Sequence, residues 1–335
     1  MADNFSTQLS DLAIIQSLLL QRVSNGLSSD VANVYSQIIE DLTTAIRGAD
    51  NINARNMNAT IKELKERFDV DVNFLYDDLE ELAITESAFA ANAVNATAGV
   101  DIFRKLPPES TIRNIVATSL MSSGQQAATI KGWLKGIDAK MLNDIEGVVG
   151  LGIVNGSTNS EIANSLNGIL TTGKGRAEAI ARTAVSHISN EARMKTYEAN
   201  SEVLRGYERQ ETLDSNTCIV CGEIDGKFYP IDGKRPPSVM HINCRGINIP
   251  TLKTWEELGL PFKEIPVGTR SSIDGNISGK IDFDEWLKGK DEPFIKKWFG
   301  TTRYKLYKEN KLTLSDFVTN KNQIISVSEL RAKYS

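Results

Sequence analysis

The chain has 335 residues, is 41% hydrophobic and 24% charged, and carries a formal net charge of −5. Such a chain is long enough for two or three domains, has the composition of an ordinary soluble protein, and has no overall attraction to nucleic acid. The first residues lack a basic n-region, and the apolar run Leu18–Leu20 is too short to cross a membrane, so neither signal peptide nor membrane anchor is expected.

The first half reads as helix. Leu9, Leu12, Ala13, Leu19, Leu20 and Val23 follow three-and-four spacing, with Asn25-Gly26 as the expected stop. Ser29 or Asp30 caps a second helix striped by Val31, Val34, Tyr35, Ile38, Leu42 and Ile46 and closed near Gly48. A third is expected from Asn58 to Phe68 and a fourth from Val72 to Ala98. Each stripe is narrow, so these helices pack on one another or on a partner.

Pro107-Pro108 marks a boundary, and a helix through Ile115 and Leu120 follows it. Trp133, Leu134 and Ile137 surround an expected break at Gly132 and Gly136, and a turn is expected over Gly147–Gly156. Thr158 with Glu161 has the form of a capping box. The Gly156 turn and the pattern after it also suit a helix-turn-helix, although no basic recognition face follows. Thr172–Gly175 reads as a loop, and Gly173-Lys174-Gly175-Arg176 lacks the spacing of a phosphate-binding loop. A long helix then runs from Arg176 to Asn200, with Ile180, Ala181, Ala184, Ile188 and Ala192 on one face and His187 in its middle, where a lone histidine is most simply a packing residue. Val203–Thr212 and Lys227–Pro230 have strand character, with Asp225-Gly226 as a turn between them.

All three cysteines fall in one stretch, Cys218-Ile-Val-Cys221 and His241-Ile-Asn-Cys244, and His241 is one of only two histidines. The spacing C-x2-C, nineteen residues, H-x2-C brings two pairs of soft ligands to the ends of one loop, the pattern of a closed Cys3His zinc site. Burial of the cysteines as plain apolar residues, or a disulfide between two of them, is the alternative. An odd number of cysteines without an export signal fits a reducing cytoplasm, where such a pair favours metal.

In order, Ile180-Ala-Arg182-Thr183, Asp214 ahead of Cys218-x2-Cys221, Asp225-Gly226, Pro236-Pro237 and His241-x2-Cys244-Arg245 resemble the phage Mu F-like minor head protein family, also called the phage head morphogenesis family, over about residues 125–250. Phe283-Asp-Glu-Trp286-Leu287, Thr302-Arg303 and Lys311–Val318 look like the usual ending of such proteins. Two positions depart from the pattern. Ile242 stands where the family often has Pro, and Gly246 where it often has a further Cys. The resemblance implies structural roles for Arg182, Thr183, Asp214, Asp225, Gly226 and Arg245, and no catalytic residue.

It also implies a low-copy virion component at the portal vertex or head interior, made in the host cytoplasm. Its partners would be portal, capsid or scaffold proteins, its role head assembly and genome packaging or ejection, with no membrane and no small-molecule substrate. The expected fold is α+β and mostly α-helical. It has a helical region over 1–115, a head-morphogenesis domain over 116–250 stapled by Cys218, Cys221, His241 and Cys244, and a basic helical region over 251–335.

From Leu287 to Ser335 eleven Lys and Arg face five Asp and Glu, a local +6 that leaves −11 for the remainder. Such a segment meets an acidic surface or a phosphate backbone, packaged DNA included, or is a solvated helix face. Two other classes compete: a treble-clef-like nuclease using His241 and Asn243 with Asp214, Glu223 or Asp225, and a zinc-containing DNA-binding module.

Overall fold

The computed structural model describes residues 3–48, 74–117, 129–261 and 269–334. It is mostly helical with a small antiparallel sheet, the α+β class expected from the sequence. The scaffold consists of α1 (Asp3–Gly48), α2 (Phe74–Ala98), α4 (Ile130–Val154) and α5 (Asn159–Ala199), with a short α3 (Glu109–Arg113) directly after Pro107-Pro108. One apolar core joins them, from Leu27, Tyr35 and Leu42 through Leu79, Ile115 and Leu134 to Leu166, Ala184 and Ile188. It therefore includes residues on both sides of position 115.

Several expected helix stops are absent. α1 runs unbroken through Asn25-Gly26, because the stripe Leu27, Val31, Tyr35, Ile38, Leu42 and Ile46 stays buried in one phase. Tertiary burial along α5 outweighs the helix penalty of one glycine, about 1 kcal/mol. Leu19 and Val23, assigned to the buried stripe, are exposed. α4 runs through Gly132, Gly136 and Gly147, and its only turn residues are Asn155 and Gly156, the latter at φ +68. α5 absorbs the loop expected at Thr172–Gly175.

Two of these glycines serve contact, not turning. A Cβ on Gly173 would lie 2.5 Å from the Met141 sulfur, and one on Gly152 would lie 2.6 Å from Ile162, so both let α4 and α5 approach as antiparallel neighbours. The capping box at Thr158 and Glu161 starts α5 as expected. The helix expected over Asn58–Phe68, and Leu120 of the one after Pro108, lie outside the described residues.

After α5 the chain forms β1 (Leu204–Gln210), a short α6 (Ile219–Ile224), β2 (Phe228–Pro230) and β3 (Ile247–Leu252), with strand order β2-β1-β3 and all pairs antiparallel. A second sheet pairs β4 (Thr269–Ser272) with β5 (Gly275–Ser278). The basic C-terminal region then folds as α7 (Phe283–Lys288), α8 (Glu292–Phe299), α9 (Thr301–Asn310) and α10 (Val327–Tyr334) around an aromatic core that includes Phe283, Trp286, Phe299 and Phe317. Lys296, Lys297, Lys308, Lys311 and Lys321 of this region are exposed, whereas Lys290 is half-buried over the Trp286 ring.

Candidate metal centre

β1 delivers two charged side chains to the interior. Alternation along the strand turns Tyr207, Arg209 and then Glu211 to the same side, and Arg209 is only 1% exposed. Past Glu211, Asp214 accepts from the backbone N–H of Asn216 (2.9 Å) and Thr217 (3.1 Å), and this tight turn sets up α6. Cys218 is the N-cap of α6, its sulfur accepting from the Cys221 N–H at 3.4 Å, so the first ligand pair is fixed by one helical turn. Asp225 ends α6, and Gly226 turns the chain at φ +75 toward β2.

The second pair sits on a knuckle whose Asn243 has φ +63, a left-handed conformation that asparagine tolerates better than most residues. α5 holds that knuckle. The Thr183 hydroxyl accepts from the Asn243 N–H (2.9 Å), and Arg182 donates to the Asn243 side chain (3.0 Å) and to Ser28 of α1 (2.8 Å). One and two heptads further on, Asn190 binds the Gly246 carbonyl (2.8 Å) and the Asn248 N–H (3.1 Å), and Tyr197 donates to the Asn248 carbonyl (3.1 Å). Glu191 holds Arg235 (2.7 Å) and Ser238 on the way into the knuckle. His187 lies buried on the same helix, where desolvation pushes its pKa down.

The structure brings Cys218, Cys221 and His241 together, and Cys244 adjoins this group through Cys221. The His241 Nε2 lies 3.2 Å from the Cys218 sulfur and 3.1 Å from that of Cys221, and the Cys221 and Cys244 sulfurs are 3.8 Å apart. The last separation is far from a disulfide bond of about 2.0 Å. It matches the sulfur–sulfur edge of about 3.8 Å that follows from Zn–S bonds of about 2.3 Å at tetrahedral angles. The His241 Nδ1 faces the Ile242 carbonyl at 2.7 Å, which orients the ring so that Nε2 points toward the sulfurs. With both ring nitrogens engaged, His241 has none left to activate water.

The donors group as two triads sharing Cys221: Cys218, Cys221 and His241, and Glu211, Cys221 and Cys244, each with donor atoms within 4.8 Å of one another. Without a cation the sulfurs form a hydrogen-bonded chain. Cys218 is pulled down to about 4 by its hydrogen bond with Cys221 and by His241. Cys244 is lowered by the Cys221 hydrogen bond and the charges of Arg209 and His241, whereas Cys221, which lies between the other two sulfurs, is raised. The Cys218 hydrogen bond lifts His241 to about 9. The lowered Cys218 and Cys244 thiols are soft donors of the kind a divalent cation such as zinc would take.

Arg209 and Glu211 were not foreseen as part of this site. Arg209 donates to Glu211 (2.7 Å), to the Ser238 carbonyl (3.1 Å) and toward the Cys244 sulfur (3.4 Å). Burial pushes the Glu211 carboxyl up to about 8 even against Arg209. A Cβ on Gly246 would collide with the Glu211 carboxylate and with Arg209, so the Arg209–Glu211 pair fills the space beside the residue at which this chain departs from the family pattern. The sequence signal was available: two charges at i, i+2 on one face of a strand that ends just before the ligands.

The other motif residues flank the cluster. Arg245 holds Asp214 bidentately at 2.7 and 2.8 Å; burial works the other way, but this guanidinium keeps the Asp214 carboxyl below the usual carboxylate range. Arg270 of β4, itself buried, holds Asp225 at 2.8 and 2.9 Å. Asp214, Asp225 and Arg245 therefore all have structural partners, and Asn243 is engaged with Arg182 and Thr183.

Residues 143–249 match the family model described as Phage Mu protein F like protein. The chain carries a phage Mu F-like segment. It covers α5, β1, β2, the first half of β3 and all four Cys/His donors, and it supports a phage head-morphogenesis protein. No curated protein and no solved structure gives a match. Among the described residues no helix is long and apolar enough to cross a membrane.

Proposed function

We propose that the protein is a minor head component of a phage particle, bound at the portal vertex or head interior, and that Cys218, Cys221, His241 and Cys244 hold a structural zinc ion. The match over residues 143–249 supports the first part, and the convergence of three sulfurs and one imidazole in that segment supports the second. A Cys3His set leaves no open coordination position, so zinc there would staple the chain and activate nothing. Contacts with portal, capsid or scaffold proteins would fall to the outer faces of the long helices. The basic C-terminal face, with Lys296, Lys297, Lys308 and Lys311 exposed, would contact packaged DNA during packaging or ejection. Quantitative mass spectrometry of purified particles, counting this chain against the portal protein, tests the assignment. A few copies per particle, lost when portal is absent, are expected; absence from particles at every assembly stage would contradict it.

A further inference from the structure

The geometry points to a coupling between the Cys/His cluster and the C-terminal aromatic module: metal at the cluster locks Phe283–Tyr334 onto the rest of the molecule through α6. This rests on the zinc reading above. α6 has six residues, too few to hold its own shape in water, and its two sides are used by different partners. One side, with Cys221 and Ile224, packs on Val239, Met240 and Cys244 in the ligand cluster. The other side faces the C-terminal module. Ile219 belongs to its aromatic core, as does Leu213 ahead of the helix. Gly222 allows Phe283 so close that a Cβ would come within 2.6 Å of its ring.

The hydrogen bonds repeat the pattern. The Trp298 indole donates to the Thr217 carbonyl at 2.7 Å, one residue before the first ligand, and Ile273 N–H donates to the Leu213 carbonyl at 3.1 Å. At the far end of α6, Arg270 joins Asp225, the Glu211 carbonyl (2.5 Å) and the Ile281 carbonyl (3.1 Å), and Asp225 accepts from the Glu211 N–H at 2.6 Å. These attachments fall on residues 211–225, the segment that carries two of the ligands; β4 additionally lies alongside α1. A metal that fixes Cys218 and Cys221 fixes the surface on which the module sits. Its loss removes the reason for six residues to remain helical. By linkage, docking of the module must strengthen metal binding by the same factor.

The test uses the full chain purified with its metal. Metal content is measured, zinc is then removed by a chelator, and tryptic cleavage after Arg270, buried in the docked state, is followed by mass spectrometry. The expectation is one zinc per chain, and cleavage after Arg270 faster by about tenfold or more in the stripped protein, since cleavage tracks the opened population. The far-ultraviolet helical signal should be largely retained. Trp298→Phe, which removes the bond to Thr217 and keeps an aromatic ring beside Phe283 and Phe299, should speed cleavage in the zinc-loaded protein and weaken zinc affinity in chelator competition. One zinc per chain with unchanged cleavage after stripping overturns the coupling and leaves the zinc site standing. Loss of the whole helical signal on stripping also overturns it, because the effect is then global. A chain that binds no zinc overturns both readings.

Discussion

The helical scaffold and the Cys/His knuckle are built from opposite materials. The scaffold buries a continuous set of aliphatic side chains over four long helices, whereas the knuckle has an apolar cluster of only Cys221, Ile224, Val239, Met240 and Cys244. Around it lie buried charges: Arg209 with Glu211, and Arg270 with Asp225. An apolar core tolerates small losses gradually, because its energy is spread over many contacts. A small centre made of ligands and paired charges depends on each member, since removing one leaves the rest desolvated and unpaired. The long helices thus act as a platform, and on the zinc reading proposed above the knuckle is the part whose state would depend on the ion.

The largest expected difference between the two regions comes from removing a ligand. Cys218→Ser or Cys244→Ser should abolish metal binding and unfold residues 200–250 locally, with the effect greatest over 211–246. A structural zinc contributes on the order of 10 kcal/mol of apparent binding energy. Hydrogen exchange resolved by segment reads this, and wild-type thermal stability together with a wild-type proteolysis pattern would show that no staple exists.

Next is the buried pair. Arg209→Met should cost about 3–5 kcal/mol in chemical denaturation and weaken metal affinity, because it strands the Glu211 carboxyl and removes the positive charge behind Cys244. If Arg209→Met and the wild type bind metal equally, the guanidinium is only a packing element.

In the scaffold, Ile188→Ala should cost about 2–5 kcal/mol and leave metal stoichiometry unchanged, because Ile188 is fully buried in the helical core. Loss of metal in that variant would mean that scaffold and knuckle are not separable. The smallest change, Thr158→Ala, removes the capping box of α5 and should cost about 1 kcal/mol, read as a modest shift in the denaturation midpoint with the knuckle unaffected.

The same contrast explains what was legible in the sequence. The four Cys/His residues proposed as ligands stand out because metal chemistry demands fixed residue types at short spacing, and the capping box at Thr158 is equally local. The long helices declared their stripes but not their lengths. Gly132, Gly147 and Gly173 read as breaks because a glycine that ends a helix and one that lets two helices touch look alike until the neighbour, Met141 at Gly173, is known. Arg209 and Glu211 fall in a segment whose sequence says only that it is a strand. Only the arrival of Cys244 and Ser238 from more than two dozen residues away makes their face an interior. Likewise Arg182 and Thr183 were recognisable as motif residues, while their task, holding Asn243 in a left-handed turn, depends on a contact across about sixty positions.

The most direct test of the account is the metal content of the purified full-length chain by elemental mass spectrometry, with thiol titration of the same sample. The account predicts one zinc per chain, three thiols that react only after chelation, and no bound zinc in Cys244→Ser. A metal-free chain that cannot be loaded with zinc, and whose three thiols react at once, would contradict it.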